Sequence, residues 1–330
     1  MNEDELASLP VVVVGSGPCG LAVAAALEKE GISAIVFDRG CVASSIASYP
    51  LYMTFFSTAE KIAIAGLPFP LADDKPSRRD ALAYYRAVVT HFDLDVRQYE
   101  PVEQVWARNG RFIVHSRPQG GDSVETTARA VVFATGYFGT PNNLNVPGED
   151  YPHVTHLYRE GHQAFRRDAI VVGGGNSAAE AALDLWRCGA RVTLVHFGET
   201  FDKNIKPWVL PDLENRIKDG SIGVRWKSRL TDIEPGRVHL EGADGPCILP
   251  AQHVYLMTGF TPNSSTLASL GVTVDFTTGI PRHDPATMET DVPGVFIAGV
   301  LASGFNANKV FIENGREHGG LIAAELSRRA

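Results

Sequence analysis

Gly15, Gly17 and Gly20 stand in a G-x-G-x-x-G spacing, and an acid, Asp38, follows 23 residues after the first of them. Backbone N–H groups at a helix N-terminus, helped by the helix dipole, attract phosphate, and side chains there would hold it away. In such a turn Gly15 permits the tight bend, Gly17 lets a phosphate approach and Gly20 lets helix and strand pack closely. Asp38 can accept hydrogen bonds from an adenosine ribose and would repel a 2′-phosphate. Pro18 and Cys19 lie inside the same turn. A helix N-terminus favours the cysteine thiolate, the form that attacks disulfides, whereas a neighbouring pyrophosphate opposes it by like-charge repulsion. The alternative for Cys19 is a small residue at a helix start.

The elements around these residues form a βαβ unit. Residues 11–14 are four valines, the continuous apolar run of a strand buried on both faces of a parallel sheet. Residues 21–30 read as an alanine-rich helix stopped by Gly31, and residues 34–37 as the next strand, ending at Asp38. The pattern recurs. An apolar strand over 169–172 leads into Gly173-x-Gly175-x-x-Ala178, with Asn176 and Ser177 in the turn, and then into a helix over 179–188. The following strand, 192–195, ends at His196, again 23 residues after the first glycine. This is an internal repeat of a nucleotide-binding unit. Each unit is closed by a buried-strand pattern running into Thr-Gly: Thr135-Gly136 in the first, Thr258-Gly259 in the second. Residues 139–148 are rich in turn formers and read as a hinge. Residues 292–299 give one more strand and turn, and 309–328 a closing helix.

His196 is no fixed carboxylate acceptor, and Lys203 and Lys206 nearby could meet an extra phosphate. The first site is therefore expected to hold FAD or NAD, and the second NADP rather than NAD. The fold class expected is α/β, with two Rossmann-like doubly wound domains.

Length and composition bound the rest. The 330 residues suit two domains, and 44% apolar with 21% charged residues can build a core. Net charge is 30 − 38 = −8, with no basic run, which argues against a nucleic-acid partner. No apolar run approaches a membrane span, and the acidic start does not read as a signal peptide. Cys19, Cys41, Cys188 and Cys247 form no CxxC pair and no zinc spacing, so no metal site is expected and the compartment is read as a reducing cytoplasm. Homo-oligomerisation stays open.

With these residues in view, the chain resembles the two-dinucleotide-binding-domain flavoproteins over nearly its whole length. Low-molecular-weight thioredoxin reductases have the nearest layout, but their redox CxxC before the second glycine turn is absent from residues 153–159 here. The closer resemblance is to the bacillithiol disulfide reductase family. It is carried by residues 17–20, Tyr49-Pro50 with Thr54-Phe55-Phe56-Ser57, Lys206-Pro207-Trp208 before Leu210-Pro211-Asp212, and Phe311-Ile312-Glu313-Asn314-Gly315. Two positions depart from the related patterns: Val300 follows Gly299 where the flavoproteins usually have Asp, and Phe197 follows His196 where Arg is common.

The resemblance implies a discontinuous FAD domain, residues 1–148 and 282–330, with an NAD(P)H domain, 149–281, inserted. It implies FAD contacts from Gly15, Gly17, Pro18, Cys19, Gly20, Asp38, Arg39, Tyr49, Phe55, Thr135, Gly136, Gly299, Val300 and Lys309. NADP contacts would come from Gly173, Gly175, Asn176, Ser177, Ala178, His196, Lys203 and Gly259. The implied activity is NADPH-dependent reduction of a small-molecule disulfide, bacillithiol disulfide first, with Cys19 as catalytic thiol and a domain rotation bringing the two cofactors together. His153, His156 and His162 are read as solvent-exposed hinge residues. Rival readings are a flavin-dependent monooxygenase, a ferredoxin– or flavodoxin–NADP reductase, and a non-catalytic nucleotide-binding redox sensor.

Overall fold

The computed structural model describes residues 7–203, 205–243, 245–306 and 308–329. The chain divides into two compact units, the first running to Ala47 and then over Met53–Thr140 and from Thr261 onward, the second over Ser48–Tyr52 and Pro141–Phe260.

The first unit is built on strands β1 (Val11–Val14), β2 (Ala34–Phe37), β3 (Asp95–Arg97), β7 (Ala130–Phe133) and β16 (Val295–Ile297), in the order β16-β7-β1-β2-β3. All four pairings are parallel. Val11, Val12 and Val13 have no solvent exposure, because helices cover the sheet and no face of β1 is left for polar residues. Each such side chain contributes about 1.5–3 kcal/mol by burial. The helix Pro18–Lys29 returns the chain to β2, and the last helix, His318–Arg328, lies so close on it that a Cβ at Gly319 would stand 2.6 Å from the Ala22 carbonyl oxygen. The predicted closing helix over 309–328 is divided. The Asn314 side chain bonds back to Phe311 N and Lys309 O, so a short turn, Ile312–Gly315, begins only after residue 311. An antiparallel sheet of β4 (Val102–Arg108), β5 (Arg111–Ser116) and β6 (Val124–Ala128), unforeseen from the sequence, joins this core through Val105, Phe112 and Val114.

The second unit repeats the plan. Strands β8 (Val154–Thr155), β9 (Asp168–Val172), β10 (Arg191–Val195), β11 (Ile222–Arg225) and β15 (His253–Leu256) form a parallel sheet ordered β11-β10-β9-β15-β8. The helix Asn176–Arg187 connects β9 to β10 and buries its alanines at 178, 179, 181 and 182. Three antiparallel strands, β12 (Ser228–Glu234), β13 (Gly236–Gly242) and β14 (Cys247–Ala251), complete it. The α/β class and the doubly wound halves stand as expected.

The boundaries fall elsewhere than 148 and 282. Residues 141–148 belong to the second unit because Asn142 N bonds to Gly259 O and Leu144 and Val146 pack on that unit's core. Residues 261–281 belong to the first because Leu267 and Val272 are buried in its core. Among the described residues, no helix is long and apolar enough to cross a membrane.

Candidate functional site

Parallel sheets of this kind bind ligands at the carboxyl ends of their strands, where the glycine turns lie. In the first unit Gly15 has φ +111°, which L side chains rarely adopt, and a Cβ there would lie 2.4 Å from the Ala134 carbonyl oxygen. Gly20 is tighter, its Cβ position being 1.9 Å from the Gly15 carbonyl oxygen. At Gly17 nothing lies within 4 Å. An open cradle thus faces the first N–H groups of the helix, which Pro18 starts without needing a donor of its own. The backbone there fits a dinucleotide pyrophosphate.

Asp38 is buried and clasps the turn to the next loop. Its Oδ2 accepts from Ser16 N (2.7 Å) and Ser16 Oγ (2.9 Å), and its Oδ1 from Gly40 N (2.8 Å) and Ser44 Oγ (3.3 Å). A ribose hydroxyl reaching this carboxylate competes with the longest of these, from Ser44. The exposed Arg39 lies over Gly139, where a Cβ would be 1.9 Å from its Nη2. Thr135 N lies 3.3 Å from the Gly15 Cβ position, so Thr135-Gly136 flanks the turn. Gly299 opens a short 3-10 turn with Val300, and Lys309 is exposed.

Two expected FAD contacts are differently placed. Phe55 is 6% exposed and belongs to the core, whereas Phe56 is 46% exposed and meets Phe311 edge-on at 6.0 Å. Of the pair, Phe56 is the accessible ring. Tyr49 lies in Ser48–Tyr52, which folds with the second unit through Leu51 N to Arg159 O.

Cys19 is wedged against two glycines. Its Sγ would be 3.0 Å from a Cβ at Gly299 and 2.9 Å from one at Gly315. Burial, then the Glu313 carboxylate, pushes the thiol up to about 12. The sequence left the balance at Cys19 open, and here loss of water and a nearby negative charge outweigh the helix dipole. Ser57 Oγ donates to Glu313.

Beside this cluster, Gly299 N donates to His318 Nδ1 at 3.1 Å, which leaves the ring proton on Nε2. Burial, with His283 adding to it and Glu317 opposing, holds His318 below the usual histidine range. Between the lowered folded pKa and the ordinary one, the unfolded chain binds a proton that the folded chain does not. Thermal stability is accordingly expected to fall as pH drops through about 6.5. His318→Gln should flatten that acid limb in melting curves recorded from pH 7.5 to 5.5; an unchanged limb would remove His318 as its cause.

In the second unit Gly173 has φ +143° and a Cβ position 2.4 Å from the Met257 carbonyl oxygen. Gly175 caps the helix that begins at Asn176, with Ser177 exposed and Ala178 buried behind it. Asn176 Oδ1 accepts from Lys206 N (2.8 Å), and Asp202 N donates to Gly174 O (3.0 Å), so the loop after β10 is tied onto the glycine turn. His196 is 4% exposed, its imidazole lying 2.3 Å from the Cβ position of Gly174 and 2.6 Å from that of Gly198. Its Nδ1 is buried without a hydrogen-bond partner among the described residues. A glycine cradle beside an unsatisfied ring nitrogen fits an adenosine phosphate.

Lys206 does not stand ready for an extra phosphate, because its Nζ pairs with Glu180 at 2.7 Å. Lys203 is exposed. Gly259 turns at φ +85° against Asn142. His162 is exposed as expected, but His156 is only 17% exposed at its side chain and meets Glu149 at 3.2 Å. Sequence reasoning missed Ser16, Ser57 and His318. Ser57 and Glu313 left a trace only as members of the quoted 54–57 and 311–315 stretches.

A family model described as pyridine nucleotide-disulphide oxidoreductase matches residues 12–299, and the chain belongs to that family. It is an NADPH-dependent flavin disulfide reductase, with FAD and NADPH as cofactors. Among similar proteins, Bacilliredoxin reductase Bdr of Bacillus subtilis (strain 168) is 42% identical over 321 residues, covering 96% of this chain and 97% of that one. The solved structure titled Bacillithiol Disulfide Reductase Bdr (YpdA) from Bacillus cereus superposes with a TM-score of 0.95 at 40% identity, covering 98% and 99%. Its counterpart from Staphylococcus aureus gives 0.89 at 36% identity, covering 96% and 97%.

Proposed function

We propose that the first unit holds FAD, the second holds NADPH, and the acceptor is bacillithiol disulfide. The reading is supported by the two glycine cradles, one per unit, and by the names of the similar proteins. The observation that carries it is the open cradle at Gly17 facing a helix N-terminus, with a thiol, Cys19, seated two residues further on. The overall reaction is NADPH + H⁺ + RSSR → NADP⁺ + 2 RSH. Bound FAD supplies a two-electron relay between nicotinamide and disulfide.

The chain's own residues bind, shield and move protons. The N–H groups after Gly17 grip one pyrophosphate and those after Gly175 the other. Asp38 keeps the first turn closed through Ser16. Cys19, once deprotonated, attacks one substrate sulfur: the new Sγ–S bond forms as the S–S bond breaks, and the first thiol leaves with a proton. Two electrons and two protons, together the equivalent of the NADPH hydride and the solvent proton, then release the second thiol and restore the Cys19 thiol. The four cysteines are free, in keeping with a reducing cytoplasm. Monooxygenase, ferredoxin-reductase and sensor readings are not favoured.

Anaerobic stopped-flow tests this. NADPH should bleach the yellow holoenzyme, and bacillithiol disulfide should restore the colour faster than cystine does. Bleaching with no return of colour would eliminate the proposed acceptor.

A further inference from the structure

The nucleotide turn of the second unit ends in an unusual stack. Phe197, two residues past the end of β10, is 62% exposed, so its ring is not there to fill a core. It lies against His196, ring centroids 4.7 Å apart, and the Arg229 guanidinium sits over it, Cζ 4.9 Å from the ring centre. The three residues come together because β10 and β12 leave the turn side by side: Ser228 N bonds to His196 O and Lys227 N to Gly198 O. A guanidinium placed over an aromatic ring is restrained by it while N–H groups remain to meet an acceptor.

The other cations nearby are differently committed or less well placed. Lys206 pairs with Glu180, and Lys227 pairs with Glu199 at 2.5 Å. Lys203 and Arg225 are exposed without a stacking partner among the described residues. Arg229 has no ion pair among the described residues, although Glu241 is its cross-strand neighbour on β13. Nucleotide folds of this kind select the 2′-phosphate of NADP with an arginine near the end of the second strand, and the carboxylate that would select NAD is absent at His196.

We infer that Arg229, oriented by Phe197, is the residue that makes the second site prefer the 2′-phosphorylated nucleotide. The inference rests on the proposed assignment of NADPH to this unit. Arg229 supplies a bidentate, charge-assisted contact to the 2′-phosphate, and the face of Phe197 fixes where that contact is made.

The test is calorimetric titration of the FAD-loaded protein with 2′,5′-ADP and with 5′-AMP, which differ at the 2′ position. Wild type should bind 2′,5′-ADP much the more tightly. Arg229→Ala should weaken 2′,5′-ADP by about 10- to 100-fold while leaving 5′-AMP unchanged, the size expected for a lost charged hydrogen-bonding pair. Arg229→Lys should recover only part, since a point charge replaces a fork. Phe197→Ala should weaken 2′,5′-ADP by a smaller factor, through lost orientation. Equal losses for both ligands in Arg229→Ala would make the arginine structural and overturn the inference, as would undiminished binding of 2′,5′-ADP by that variant. If wild type itself does not distinguish the two ligands, the NADPH assignment of this unit falls, a separate failure.

Discussion

Gly20→Ala is expected to give a protein that folds poorly and stays colourless, whereas Gly17→Ala should fold normally and still be colourless. The contrast follows from what a single methyl group would meet. At Gly20 it would lie 1.9 Å from the Gly15 carbonyl oxygen, which is main chain and cannot swing aside. The helix Pro18–Lys29 would have to lift from β1, opening a core in which Leu21, Val23 and Leu27 are fully buried. Overpacking against backbone of this kind costs about 3 kcal/mol or more. At Gly17 φ is −71° and ψ 174°, an extended conformation open to alanine, and nothing lies within 4 Å. Folding should change by no more than about 0.5 kcal/mol. The methyl would, however, occupy the space a pyrophosphate needs. Melting curves of both apoproteins, with flavin content after reconstitution, distinguish the two effects. A yellow Gly17→Ala protein with wild-type flavin content would show that the cradle is not where the pyrophosphate sits.

That contrast also marks what could be read from the amino acids alone. The paired βαβ units were legible because four valines, a glycine turn and an alanine-rich helix are each dictated by local chemistry. The repeat at the same spacing made chance an unattractive explanation. Long-range packing was not legible. Nothing local to Leu267 or Val272 tells which core they enter, so the boundary was set 21 residues too late at 281 instead of 260. Ser48–Tyr52 changes unit through a main-chain bond to Arg159, which no side-chain pattern announces. Lys206 was read as a free cation because its partner, Glu180, lies 26 positions away on the preceding helix. The stack of Arg229 on Phe197 likewise joins residues 32 positions apart, 229 − 197, and appears only when β10 and β12 are side by side. Phe55 and Phe56 could not be told apart, since adjacent residues in extended chain point oppositely and the sequence does not say which way is in.

Cys19 is expected to resist alkylation at neutral pH and yet to be required for disulfide-dependent return of flavin colour. With the thiol near 12, only about one molecule in 10⁵ carries a thiolate at pH 7, against a few per cent for an ordinary cysteine. Iodoacetamide should therefore label Cys19 about three orders of magnitude more slowly than an exposed thiol. The sign of the pH dependence follows: below its raised pKa the thiolate fraction, and with it the exchange step, should climb about tenfold per pH unit from pH 6 to 9. Glu313 is the smaller of the two causes named for the raised pKa, so Glu313→Gln should speed labelling at a fixed pH without restoring ordinary reactivity, because burial between Gly299 and Gly315 remains. Cys19→Ala should leave NADPH bleaching of the flavin intact and reduce reoxidation by the disulfide to the uncatalysed rate. The variant keeps the volume at the helix start small, so its melting temperature serves as a check that packing is preserved. Reoxidation at the wild-type rate in Cys19→Ala would make the thiol a packing residue at the junction of three chain segments, and the electrons would have to reach the disulfide without it. Rapid labelling of the wild type would instead show that water reaches Sγ, and the cause assigned to its raised pKa would be wrong.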